Sequence, residues 1–208
     1  MNETTPMLKS PSGTTIDYYN VHAKEYCDLT RDLDLRIFSA HFLAELPPAA
    51  HILDAGCGSG RDTKLFLDRG YQVTAIDASS ELARLATEYT NQPCEVLRFQ
   101  EMEFREEFDG AWASASLLHL PRHDMYDVIP RFIRALKPRG IFYLSFKEGE
   151  GERMADDGRF YCDYTRESLQ EIFTHFPSLH ELAFWRTEEI RKGGNRQIWL
   201  SLLFRKTE

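Results

Sequence analysis

The chain has 208 residues, 42% of them hydrophobic, and a formal net charge of −8, which is one globular domain's length with enough apolar content for a full core. That acidic balance argues against nucleic acid as the main partner, since neutralising phosphates needs a basic face. No apolar run approaches the roughly 18 residues of a membrane span and no charged-then-apolar leader precedes a cleavage site, so a cytoplasmic protein without a membrane partner is expected.

"MNETTPMLKSPSG" is polar with two prolines and reads as a loose tail, with residues 1–14 set apart from a single domain over residues 15–208. Ile16, Tyr19, Ala23 and Tyr26 share one face of a first predicted helix. Leu35, Phe38, Phe42 and Leu46 share a face of a second, stopped by Pro47 and Pro48, so residues 15–47 form a helical region. Segments then alternate. "HILDA" is a strand, "RDTKLFLDRG" a helix closed by Gly70, "YQVTAID" a strand and "SSELARLATEY" a helix capped by serine. "CEVLRF" and "DGAWASA" read as strands, "HDMYDVIPRFIRAL" as a helix that Pro130 should kink, and "GIFYLSF" as a strand. The helix "RESLQEIFTHF" precedes two terminal strands, "LHELAFWR" and "RQIWLSLLF". Strand and helix in alternation imply a doubly wound α/β sheet, mostly parallel, with helices on both faces. The cysteines Cys27, Cys57, Cys94 and Cys162 are widely spaced without a CxxC pair, which suits a reducing compartment and offers no zinc site.

Ligands of such sheets bind at the carboxyl ends of the strands, where "HILDAGCGSGRD" carries Gly56, Gly58 and Gly60. A dinucleotide dehydrogenase would use GxGxxG, but Arg61 stands at its third glycine. Asp54 at the loop's entrance would oppose a pyrophosphate and favour an ammonium or sulfonium, and S-adenosylmethionine carries both. Asp77 ends the second strand, at the distance beyond a glycine loop where an acid holds ribose hydroxyls. Capping of the next helix is the competing reading of Asp77.

The series "LDAGCGSG", "VTAIDAS", "FDGAWASASLLHLP" and "ALKPRGIFYLSF" resembles the motif series of class I S-adenosylmethionine-dependent methyltransferases over roughly Thr15 to Lys206. Its "GSGRDTKLFLDRGYQVTAIDAS" portion is similar to small-molecule members, including tellurite-resistance methyltransferases. The resemblance implies a Rossmann-like methyltransferase fold of seven strands, with the last antiparallel and inserted beside the fifth. It also implies S-adenosylmethionine as methyl donor, with S-adenosylhomocysteine as product. Gly56 with its neighbours Cys57, Gly58 and Gly60 should line the methionine portion; Asp77 should hold the ribose and Ala78 lie against adenine. Glu101 and Met102 should contact the adenine, and Ala113 and Ser114 the methionine amino group. One departure is "LKPRG", where the family usually has two glycines and this chain has Arg139.

Transfer from a sulfonium is an in-line displacement in which positioning can contribute on the order of 7–11 kcal/mol. His119, just beyond the fourth strand, is the candidate general base and acceptor contact, against a plain hydrogen-bonded histidine. "TIDYYNVHAKEY" is similar to the lid helix of small-molecule methyltransferases; Tyr19 is read as a cofactor contact and Tyr26 as ordinary packing. The connection "FKEGEGERMADDGRFYCDYT" is long for an α/β unit and is read as a loop closing the acceptor pocket. In it Lys147, Arg159 and Tyr161 would bind an anionic or strongly polar small molecule. A nicotinamide oxidoreductase and a non-catalytic S-adenosylmethionine-binding protein remain as alternatives. Monomer and homodimer are equally open.

Overall fold

The computed structural model describes residues 11–34, 36–190 and 196–208. Two N-terminal helices, α1 (Pro11–Thr30) and α2 (Arg36–Ala44), precede an alternating run of β1 (His51–Ala55), α3 (Arg61–Asp68), β2 (Gln72–Asp77), α4 (Ser80–Thr90), β3 (Cys94–Val96) and β4 (Phe108–Ala113). There follow α5 (Met125–Ala135), β5 (Leu136–Lys147), β6 (Gly151–Met154), β7 (Phe160–Asp163), α6 (Arg166–Phe173), β8 (Leu179–Ile190) and β9 (Arg196–Lys206). The central sheet has seven strands in the order β3-β2-β1-β4-β5-β9-β8. Strands β1 to β5 are mutually parallel, while β9 enters antiparallel between β5 and β8. This is the doubly wound topology expected.

Period-two alternation divides the core between the two faces of the sheet. On β5, Phe142, Leu144 and Phe146 join the cluster under α5 and α6, whereas Ile141 and Tyr143 join Phe42 of α2 and Phe66 of α3 on the other side. Trp112 of β4 stacks on Tyr143 with ring centroids 3.8 Å apart. Each fully buried large apolar side chain contributes about 1.5–3 kcal/mol. Phe38, Phe42 and Leu46 pack together on that face as their spacing indicates, while Leu35 lies outside the described residues.

Two local expectations change, at the start of the first helix and after β5. Helix α1 begins at Pro11, so residues 11–14, read as tail, are helical; residues 1–10 lie outside the described residues. Helix α5 continues through Pro130 from Met125 to Ala135; the carbonyl deprived of its amide partner belongs to Tyr126, on the solvent side of the helix. The long connection after β5 is a hairpin, β6 paired antiparallel with β7, rather than an irregular loop. No helix among the described residues is long and apolar enough to cross a membrane.

Candidate active site

A cavity of about 480 Å³ opens at the carboxyl ends of β1, β2 and β4 and is roofed by α1. That volume lies within the roughly 300–1,000 Å³ of small-molecule sites. Gly56 and Gly58 form its floor. Both hold φ in the left-handed region, +77° and +56°, where side chains other than glycine's are strained. A Cβ on Gly56 would stand 2.5 Å from Cβ of Ser116, and one on Gly58 would stand 3.1 Å from the Tyr26 ring. The bare backbone is therefore needed for packing as well as for a ligand's approach.

Asp77 supplies the carboxylate nearest the glycine loop, bonded to the Gly58 amide. Its Oδ1 accepts from the Ser79 amide at 2.8 Å and its Oδ2 from the Gly58 amide at 2.9 Å. Ser79 itself caps α4, accepting from Leu82, so Asp77 orders the turn without being the cap. Burial pushes the Asp77 carboxyl up to about 6, and the two amide donors oppose that rise. Ala78, Phe99, Gln100 and Glu101 continue the wall away from Asp77, with Glu101 Oε2 accepting from the Arg98 amide.

Asp54 does not reach the cavity. It is 2% exposed and lies beneath the glycine loop, accepting from Thr63 Oγ1 at 2.5 Å. Burial first, and the neighbouring Asp62 second, push its carboxyl up to about 8. Asp62 is held by a bidentate Arg61 and by Trp112 Nε1 at 2.9 Å. The carboxyl that sequence placed at the loop's entrance thus lies in a buried network where ionisation is disfavoured, and the carboxyl that lines the cavity beside the glycine loop is that of Asp77.

Other motif residues also face inward. Cys57 contacts Cys94, and a Cβ on Gly60 would meet Thr90 and Ala86 of α4. Met102 and Ala113 are wholly buried in the core. Ser114 is half-buried and does not line the cavity; after β4 the wall is formed by Ala115, at φ +51°, and Ser116. Ser116 Oγ donates to the Ala55 carbonyl at 2.8 Å, tying β4 to the root of the glycine loop.

His119 lines the opposite wall with Tyr19. Its Nδ1–H donates to the Phe160 carbonyl at 2.7 Å, which leaves Nε2 to accept from the Tyr19 hydroxyl at 3.0 Å. Enclosure by protein depresses the imidazole from 6.5 toward about 3, and the cations Arg159 and Lys147 add to that. Part of the ring faces the cavity, where water weakens the effect of burial. Burial raises the Tyr19 phenol, partly offset by Arg159.

The three residues proposed to bind acceptor stand one layer behind this pair. Arg159 Nη1 donates to Tyr19 Oη at 3.3 Å, and its guanidinium is paired with Asp157 at 2.6 Å. Lys147 is buried with Nζ 3.5 Å from the centre of the Tyr161 ring, and Tyr161 packs on His119. None of Lys147, Arg159 and Tyr161 lines the cavity. The hairpin's own contribution to the wall is Glu152, and it is latched to α1 where Thr15 Oγ1 accepts from the Phe160 amide.

Sequence reasoning assigned Tyr26 to packing and missed Leu82, Arg98, Phe99 and Glu152, all of which line the cavity. Tyr26 carried a readable signal, since it lies seven residues beyond Tyr19 in the helical pattern, and in the structure the helix is kinked between them at His22. The hairpin that brings Glu152 to the site gave none.

The strand order with its antiparallel insertion defines a Rossmann-like methyltransferase fold. Residues 53–144 match a family model described as a methyltransferase domain. A trans-aconitate 2-methyltransferase from Enterobacter sp. (strain 638) is 28% identical over 176 aligned residues, covering 75% of this chain and 68% of that protein. A ubiquinone biosynthesis O-methyltransferase from Xanthomonas campestris pv. campestris (strain B100) is 32% identical over 157, covering 69% and 64%. The crystal structure of Burkholderia thailandensis 1,6-didemethyltoxoflavin-N1-methyltransferase, with bound 1,6-didemethyltoxoflavin and S-adenosylhomocysteine, superimposes with a TM-score of 0.79 at 26% identity. That superposition covers 99% of this chain and 94% of that one. The matched domain, the relatives and the shared fold together support a class I S-adenosylmethionine-dependent methyltransferase with S-adenosylmethionine as cofactor.

Proposed function

We propose that this protein transfers a methyl group from S-adenosylmethionine to a small polar molecule. The observation that carries the reading is a roofed cavity with a bare-backbone floor at Gly56 and Gly58 that also holds the Asp77 carboxyl and His119 in its wall. When bound, the cofactor supplies an electrophilic methyl on a sulfonium. Asp77 keeps lone pairs free of its two amide donors and accepts the ribose hydroxyls. Phe99, Ala78 and Glu101 form the adenine wall, and Tyr26 covers the loop above Gly58.

Acceptor binding falls to the His119 and Tyr19 wall. A hydroxyl acceptor can give its proton to His119 Nε2 by displacing Tyr19, while Phe160 keeps the ring's tautomer fixed. Arg159 and Lys147 act through Tyr19 and Tyr161 rather than by touching the acceptor. Glu101, Asp124 and Glu152 outnumber Arg98 among the other charged wall residues, which favours a neutral or cationic acceptor over an anion.

The test is a panel of acceptors differing in charge, including 1,6-didemethyltoxoflavin and trans-aconitate, with S-adenosylhomocysteine release as readout. Stabilisation by S-adenosylhomocysteine, about 2.7 kcal/mol at 100 times its dissociation constant, should accompany turnover of a neutral acceptor. Stabilisation by NAD alone, or turnover of only the tricarboxylate, would overturn the respective assignment.

A further inference from the structure

Cys57 and Cys94 meet beneath the glycine loop with their sulfurs 3.1 Å apart, both as free thiols. Cys57 is buried, in sequence between the two glycines that floor the cavity, while Cys94 is half-buried and the more exposed residue of the pair. Cys94 opens β3, a three-residue strand at the edge of the sheet, in register with Ala75 of β2. A disulfide requires about 2.0 Å between sulfurs, so the pair must close by about 1 Å, and an edge strand and a loop are the elements best able to move.

We propose that Cys57 and Cys94 form a reversible, peroxide-driven disulfide that distorts the glycine loop and weakens cofactor binding. The inference rests on the assignment of that loop to S-adenosylmethionine. The chemistry balances without a further reactant. Cys94 sulfur attacks one peroxide oxygen, the O–O bond breaks, and a sulfenic acid forms as water leaves with the thiol proton. Cys57 sulfur then attacks Cys94 sulfur; the S–S bond forms, the S–O bond breaks, and the departing hydroxide takes the Cys57 proton as a second water. Two thiols lose two electrons and two protons, and one peroxide becomes two waters.

Coupling to the cavity follows from what anchors the loop. The amides of Gly56 and Cys57 both donate to the Ile76 carbonyl, and the Gly58 amide donates to Asp77 Oδ2 at 2.9 Å. Drawing Cys57 toward β3 therefore pulls on the hydrogen bond that orients the ribose-binding carboxylate. Gly56 and Gly58 already occupy left-handed φ values, so the loop cannot yield without disturbing the cavity floor. Linkage makes the effect reciprocal: bound S-adenosylhomocysteine must disfavour the disulfide by the same factor that the disulfide disfavours binding.

The experiment treats the full chain with hydrogen peroxide, maps cysteine peptides by mass spectrometry, and measures S-adenosylhomocysteine affinity by calorimetry before and after. Expected are a Cys57–Cys94 link with loss of two hydrogen atoms, at least about a tenfold fall in affinity, recovery with dithiothreitol, and slower linkage in saturating S-adenosylhomocysteine. The Cys94→Ser protein should bind normally and ignore peroxide. Absence of the link, or linked protein that binds with unchanged affinity, overturns the proposal. Reduced protein that fails to bind S-adenosylhomocysteine overturns the loop's cofactor assignment and the coupling with it, an outcome the peptide map keeps distinct from a failure of the thiols to join.

Discussion

The Tyr19 hydroxyl donates to Nε2 of His119 across 3.0 Å, joining the first helix to the end of the fourth strand at the wall of the cavity. With Nδ1–H committed to the Phe160 carbonyl, the imidazole is held neutral in one tautomer. A histidine depressed in this way does not reduce stability above its ordinary value near 6.5, and destabilises the fold as pH falls from there toward about 3. In ¹⁵N-resolved NMR, His119 should keep a single Nδ1–H tautomer from pH 7 down to about 4. In Tyr19→Phe, Nε2 opens to cavity water and its titration should move up toward 6.5. Normal titration of His119 in the unsubstituted protein would remove the hydrogen-bonded pair from the account.

Beneath the glycine loop the linkage runs the other way. Asp54 is raised to about 8 by burial and by Asp62, so the folded state holds a proton that the unfolded chain releases near the ordinary 3.8. Stability from this group is therefore full below about pH 4 and declines as pH rises toward 8. Asp54→Asn removes the titration. Relative to the unsubstituted protein it should gain stability between pH 5 and pH 8, read as a smaller fall in urea midpoint. An identical pH slope in the two proteins would mean that Asp54 is ionised throughout.

Gly56→Ala separates the loop's two demands. The new Cβ would meet Ser116 at 2.5 Å while φ remains at +77°, a combined cost on the order of 2–3 kcal/mol. Urea unfolding should register that loss. The Ser116 contact lies on the cavity wall, so S-adenosylhomocysteine affinity should fall as well. A variant that unfolds at the same urea concentration would show that the loop has another conformation to adopt.

The contrast between Asp54 and Asp77 marks how far the sequence could be read. Strand-helix alternation and the glycine spacing located the sheet, the loop and Asp77, because these follow from backbone demands that leave traces in residue type. Motif position gives a place along the chain, but a side chain's direction depends on the strand's alternation and on what packs behind it. Hence Asp54, Met102 and Ala113, adjacent in sequence to the site, face the core. Tyr19 was read as a cofactor contact from the lid-helix resemblance and Tyr26 as packing, whereas both line the cavity. Glu152 comes from a hairpin whose charged, glycine-rich sequence resembles a solvated loop, and its latch to α1 through Thr15 is a long-range contact that no local pattern encodes.

Arg139 stands where the family usually has the first of two glycines, and it adopts φ +65°. The turn exists because β5 is bulged against β4: between Phe108 and Gly110 the paired residue jumps from Leu136 to Ile141. The surplus residues must reverse locally, and the left-handed conformation at 139 does so. Gly140 cannot take over, since a Cβ there would lie 2.9 Å from the Lys137 carbonyl oxygen, so the next position is already committed to glycine. A side chain other than glycine's in this region costs roughly 1–2 kcal/mol, while glycine's greater freedom in the unfolded chain returns part of that. Arg139→Gly should therefore stabilise the protein by about 0.5–1 kcal/mol, or about 1–4 °C in melting temperature for a chain of this size. The turn is at the amino end of β5, away from the cavity at the strands' carboxyl ends, so S-adenosylhomocysteine affinity should not change. A lower melting temperature in Arg139→Gly would mean that the arginine makes a contact worth more than its backbone strain.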